Sequence, residues 1–167
     1  LPAVSNTQLN SDGKGVAYLH MMIGLGALAA SICLAPIHGR GLLGILFLTS
    51  AIISSTGNII LGVSSSLQLA MTGTVIIGLS HAAFMTIATI IIQSVSPDGL
   101  RGRITSIYLI HAGGLMSFSY FINGALADIF KTSVILSIGS AAFFLAILCS
   151  YFLPTPKRLY MRGSTIR

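Results

Sequence analysis

The chain has 167 residues, 54% of them hydrophobic and only 7% charged, with three acidic residues and a net charge of +6. A soluble domain carries about a quarter charged residues, so a water-facing exterior is excluded. A nucleic-acid surface is excluded too, because the basic residues lie between apolar stretches and are not gathered on one face.

Five apolar stretches, at residues 16–37, 41–63, 67–95, 104–127 and 132–153, carry almost none of the charge. A helix needs about 20 apolar residues to cross roughly 30 Å of hydrocarbon. The predicted fold is an all-α membrane protein, with five transmembrane helices in one membrane domain over residues 1–167 and a basic tail at 154–167. Pro36, Pro97, Pro154 and Pro156 fall at or beyond the ends of these stretches, where a missing amide donor costs little.

The first stretch holds His20 near one end, Gly24 and Gly26, and a row of Ala27, Ser31 and Ala35 beside Ala30. Small residues four apart let helix backbones approach closely in lipid, which predicts a tightly packed bundle. In the second stretch Ser50, Ser54 and Asn58 form a polar stripe. Such a stripe faces neighbouring helices, either for interhelical hydrogen bonding or as part of a polar pathway. The third places Thr74, Gly78, Ala82 and Thr86 in one row, and His81 at its midpoint, with Met85, Thr89 and Gln93 following at helical spacing. The fourth follows Asp98, Arg101 and Arg103 and contains His111, Gly113 and Gly114. Cys33 and Cys149 sit inside predicted spans and read as small packing residues, not as a disulfide or a metal site.

An intramembrane ionisable group is a functional candidate by default, and imidazole titrates near neutrality. The competing reading for His81, His111 and His20 is a neutral ring donating to a backbone carbonyl. Counted from the ends of the apolar stretches the three lie at different depths, so one three-histidine metal site is not expected.

Basic residues set the orientation. Arg40, Arg101, Arg103, Lys157, Arg158, Arg162 and Arg167 fall on one side, and Lys14 and Lys131 on the other. The positive-inside rule makes the first side and the C-terminus cytoplasmic, and puts the N-terminal end outside. A chain that starts outside, with no Met at Leu1, is expected to be the later part of a longer protein.

Enzyme chemistry is not expected. Ser80 precedes His81, but neighbours on a helix point about 100° apart and cannot pair. No G-x-S-x-G occurs, H-E-x-x-H is impossible without Glu, and no phosphate-cradling loop is present. No cofactor is called for.

The run Ser96-Pro97-Asp98-Gly99-Leu100-Arg101-Gly102-Arg103, continuing Ile104-Thr105-Ser106-Ile107-Tyr108, resembles a cytoplasmic loop of major facilitator superfamily transporters. That loop joins the tenth and eleventh helices, and the likeness is to the drug and siderophore exporter branch that includes the enterobactin exporter. Gly113-Gly114, Asn123-Gly124-Ala125-Leu126-Ala127-Asp128 and Gly24-Leu25-Gly26-Ala27-Leu28 are similar to neighbouring parts of the same branch. The loop Ile37-His38-Gly39-Arg40-Gly41 departs from the superfamily's signature, with one Gly-Arg pair and no Asp.

The resemblance implies a partial C-terminal bundle, helices eight to twelve of twelve, in a bacterial inner-membrane exporter working by alternating access. It implies a small-molecule substrate in the full-length parent, with the lipid bilayer and the missing N-terminal half as partners and no nucleic acid. His81 becomes the first candidate for the substrate or proton pathway, followed by His111, Tyr108 and His20. Asp98, Arg101 and Arg103 become a candidate gating loop, the other role of these arginines being orientation alone. Gly24, Gly26, Gly78, Gly113 and Gly114 become helix-packing positions. The alternatives are a complete five-span binding or scaffold subunit and, further off, an intramembrane enzyme.

Overall fold

The computed structural model describes residues 13–35, 43–127 and 129–152. These form α1 (Gly13–Leu34), α2 (Leu43–Val63), α3 (Leu67–Val95), a 3-10 turn (Asp98–Leu100), α4 (Arg101–Ala127) and α5 (Thr132–Phe152). Residues 36–42, Asp128 and the basic tail at 154–167 lie outside the described residues. α3 coincides with the third apolar stretch, whereas α1 and α4 each begin three residues before theirs and take in Lys14 and Arg101. Charge ends a hydrocarbon-crossing segment but need not end a helix, since Lys and Arg have good helix propensity.

Among the described residues three helices are long and apolar enough to cross a membrane: Lys14–Leu34 of α1, α2 and α3. α4 has the length, at 27 residues, but is the least apolar of the five. In α5 the stretch Ser133–Ala146 is a shorter apolar segment. The protein is thus an all-helical membrane protein in which three of the five expected spans stand out by composition.

α3 is the hub. Leu19 lies with Ala70, and Ala30 with Ala83 and Ile87, so α1 runs parallel to α3. α2 runs antiparallel on another face, with Leu61 at Ala70 and Phe47 stacked on Phe84 at 4.3 Å between centroids. α5 lies along α2, where Gly62 approaches Leu136, and it sends Phe143 edge-on to Phe84 at 6.1 Å. α4 meets α3 near the hairpin between them and leaves most of residues 109–125 exposed.

The closest approaches are made by glycine. A Cβ on Gly26 would collide with the Val75 carbonyl oxygen and stand 2.8 Å from the Leu79 nitrogen, and one on Gly78 would collide with the Ile23 carbonyl oxygen. On the other side of α3, a Cβ on Gly73 would lie 3.0 Å from the Leu61 nitrogen and one on Gly57 3.1 Å from the Gly73 carbonyl oxygen. α1 and α2 therefore both touch α3 backbone to backbone. Small and hydroxylic residues fill the interior, among them Ala51, Ala70, Thr74 and Ser80, each fully buried. Leu19, Leu61 and Ile87 are buried with them, but most large apolar side chains point outward, Ile110 and Phe121 at about three-quarters exposure, the distribution expected when the solvent is lipid.

Hydroxyls inside the bundle bond back to their own helix. Ser50 donates to the Phe47 carbonyl at 2.8 Å, Ser55 to Ala51 at 3.3 Å, Ser80 to Ile76 at 2.8 Å, and the Asn58 amide to Ser54 at 2.9 Å. Two of the three members of the α2 stripe, Ser50 and Asn58, thus bond along their own helix and not across to a neighbour. This local i−3/i−4 bond is always in reach of a helical hydroxyl. A three-residue turn joins α2 to α3: Ser64 is buried and donates to the Leu61 carbonyl at 2.8 Å, and Ser66 caps α3 by accepting from the Leu69 amide at 3.3 Å.

Replacing Gly78 by Leu is expected to destabilise the bundle by about 3 kcal/mol or more, because the new side chain meets α1 backbone that cannot yield locally. Gly124→Ala, at a position with open space, should be nearly silent. Unfolding of both variants in detergent micelles, followed by circular dichroism, checks the contrast.

Candidate functional site

The α3–α4 hairpin gathers most of the candidate residues. α3 ends at Val95; Ser96 is its C-cap, and its hydroxyl donates to the Ile92 carbonyl at 2.6 Å. Pro97 has φ −57° and opens the 3-10 turn, which passes directly into α4 at Arg101. The missing amide of Pro97 stops α3, and its fixed φ suits a turn start. Arg101 then does two things. Its guanidinium lies 2.9 Å from an Asp98 carboxylate oxygen, and its Nε donates to the Ser96 carbonyl at 3.4 Å. A cation at the N-terminus of α4 is electrostatically disfavoured there, and Arg101 offsets this by turning back to a carboxylate and to the C-terminal end of α3. Arg103 is exposed and has no ion pair among the described residues.

Further along the hairpin Tyr108 is half-buried, and its hydroxyl donates to the Met85 sulfur at 3.4 Å. This contact sets the register of α3 against α4. Since the two helices run antiparallel, one turn beyond it brings His81 on α3 and His111 on α4 to nearly the same level. The expectation of different depths came from counting His111 from residue 104, whereas α4 starts at Arg101 and is offset by the 3-10 turn. Both histidines are exposed, and neither ring makes a hydrogen bond with the described residues.

His20 stands apart. It follows Leu19, which packs beside Ala70, eleven residues before His81, so it lies about 16 Å along the axis from the other two. Its Nδ1 is 3.0 Å from the Val16 carbonyl oxygen, the local partner that a neutral ring finds in a helix. Among the described residues His, Cys, Asp and Glu nowhere gather in threes, and Cys33 and Cys149 are free and exposed.

The five glycines singled out in the sequence divide. Gly26 and Gly78 stand at the α1–α3 crossing, while Gly24, Gly113 and Gly114 have nothing within 4 Å of a built Cβ. Gly57 and Gly73, which also lie within the apolar stretches, form the pair that joins α2 to α3. Their positions are visible in the sequence, but their pairing is not, since Gly73 lies one turn and a residue before Gly78, on a different face. Sequence reasoning missed Thr105: its hydroxyl is buried beside the hairpin without a hydrogen-bond partner among the described residues.

The Asp98–Arg101 pair is solvent-accessible, with side chains 89% and 52% exposed. Its coupling free energy in a double-mutant cycle with Asp98→Ala and Arg101→Ala is expected to be under about 1 kcal/mol and to shrink as salt is raised. A coupling of several kcal/mol, read from micellar unfolding, would assign the pair a structural weight that its exposure does not support.

A family model described as transmembrane secretion effector, of the major facilitator type, matches residues 1–161. No curated protein and no solved structure matches the chain.

Proposed function

We propose that this chain, which belongs to the transmembrane secretion effector family of major facilitator type, supplies the later helices of an exporter that works by alternating access. Membership makes it an integral membrane protein of a transport family and points away from an enzyme. The finer reading takes α1 to α5 as helices eight to twelve of twelve, with α4 and α5 as further spans. It also takes the parent as an inner-membrane exporter of the branch that includes the enterobactin exporter. The Ser96–Tyr108 run and the charge distribution support this. On that reading the C-terminus is cytoplasmic and the N-terminal end of the segment periplasmic, and the absent partner is the transporter's other half.

The observation that carries the site is His81. It sits halfway along a 29-residue apolar helix, exposed and without a hydrogen bond to the described residues, level with His111 and next to the Tyr108–Met85 contact. An ionisable ring in hydrocarbon faces a cavity or another helix in nearly every membrane protein. In the parent that cavity is the space between the two halves, with His81, His111 and Tyr108 handling substrate or proton and His20 lying toward its periplasmic end. Two halves that rock around a midplane site expose it to each side in turn.

Asp98, Arg101 and Arg103 suit a gating loop. Arg101 already bonds the end of α3, and Arg103 is left to engage another element in one state and release it in the other. The open space at Gly24, Gly113 and Gly114 supports close contact with helices of the other half. Gly26 and Gly78 are already engaged within this one.

Transport by the full-length parent tests the reading. In cells lacking other exporters, the parent should lower accumulation of its substrate, and His81→Ala should bring accumulation back to the level of cells without the protein. An unchanged phenotype for His81→Ala, at equal expression, would remove the central role given to this ring.

A further inference from the structure

Beyond the Ala30–Ile87 contact, α1 and α3 part to leave a groove of about 320 Å³ at the end where α1 stops and α2 begins. Its base is apolar, formed by Leu34, Leu43 and Ile87, the last only 1% exposed. Its rim is Ser31, Ala35, Thr86 and Ile90, all exposed. The volume is at the small end of the range for small-molecule sites, and no lining residue can ionise.

Thr86 distinguishes this groove from an ordinary gap between helices. α3 has five other hydroxyl residues, and each donates to a carbonyl of its own helix: Thr72 to Gln68, Thr74 to Met71, Ser80 to Ile76, Thr89 to Met85 and Ser94 to Ile91, at 2.8 to 3.1 Å. Thr86 makes no hydrogen bond with the described residues, and it lines the groove. Opposite it, Ser31 spends its proton on the Ala27 carbonyl at 3.0 Å, which leaves the Ser31 oxygen as an acceptor. An apolar base with one free hydroxyl donor and one acceptor at the rim matches an uncharged amphipathic molecule carrying a hydroxyl or carbonyl. A charged molecule would lose hydration here with nothing to offset it. Thr86 lies nine residues before Val95, so the groove opens about 13 Å from the end of α3, within reach of a molecule dissolved in that leaflet.

We propose that the α1–α3 groove is a binding site for small uncharged amphiphiles that enter from the lipid side, with Thr86 as their polar anchor. Calling the occupant cargo rests on the transport reading; binding does not.

The test is photolabelling of the full chain in phosphatidylcholine nanodiscs with a diazirine-bearing octanol, mapped by mass spectrometry. Adducts should concentrate on the groove and be competed by excess plain octanol. Thr86→Val should lower the competable labelling about fivefold, the loss of one net hydrogen bond, and Thr86→Ser should restore it. Ala35→Trp, at an exposed position, should abolish it by filling the mouth. Adducts spread evenly over lipid-facing positions such as Ile107 and Phe121, with no competition, would overturn the site. So would equal labelling by a quaternary-ammonium analogue, or labelling of the groove by a photoreactive phosphatidylcholine and not by the octanol. A parent that fails to transport would remove the transport reading and leave groove labelling intact. Absent labelling with transport intact would remove the groove alone.

Discussion

Water cannot drive these helices together, and the rest of the structure follows from that constraint. In hydrocarbon, burying a leucine against another leucine gains little over leaving it in lipid, so association depends on contact density and on satisfied polar groups. α3 meets it twice, with Gly78 against α1 and Gly73 against α2, on different faces of one helix. Each glycine lets a neighbouring backbone come within van der Waals reach along a whole crossing. The buried alanines and serines extend those crossings, and most of the bulky side chains, Leu19, Leu61 and Ile87 excepted, are left to the lipid.

Much of this was legible in the sequence, and the misses have a common cause. Hydropathy reports what solvent a residue prefers, whereas a helix boundary is set by backbone hydrogen bonding. The two agree for α3, where Ser66 caps one end and Pro97 stops the other. They differ for α1 and α4, where Lys14 and Arg101 are polar yet helical. The same distinction explains the histidines: depth counted from apolar boundaries separated His81 from His111, and the register set by Tyr108 and Met85 brings them level. The α2 stripe was expected to face neighbouring helices, for hydrogen bonds across to them or as part of a polar pathway, because polar groups in lipid need partners. For Ser50 and Asn58 the carbonyl partners were already on the same helix. Which glycines are in contact was beyond a reading of small-residue rows, because a row shows where helices can meet and not which helix arrives.

Charge and polarity are handled differently at the two levels of the hairpin. At its turn, Arg101 is drawn back onto Asp98 and the Ser96 carbonyl, a local arrangement in reach of water. About three to four turns deeper, His81 and His111 have no such partner among the described residues. A side chain exposed to hydrocarbon without a partner is costly, and α4 covers only part of α3 there. The exposed length of α4 and the unbonded imidazoles are therefore one feature, an incompletely covered face with polar groups at its middle.

The short Ser64–Ser66 turn has a consequence for how the chain assembles. α2 and α3 are joined by three residues, with a buried hydrogen bond at Ser64 and a cap at Ser66, so their crossing at Gly57 and Gly73 closes a small loop. The Gly26–Gly78 crossing closes roughly three times the length of chain, which adds about 1 kcal/mol of closure entropy. Low contact order favours the hairpin as the first native unit. α1 must then wait for a surface that α3 presents only once that hairpin exists, so the order of assembly differs from the order of synthesis.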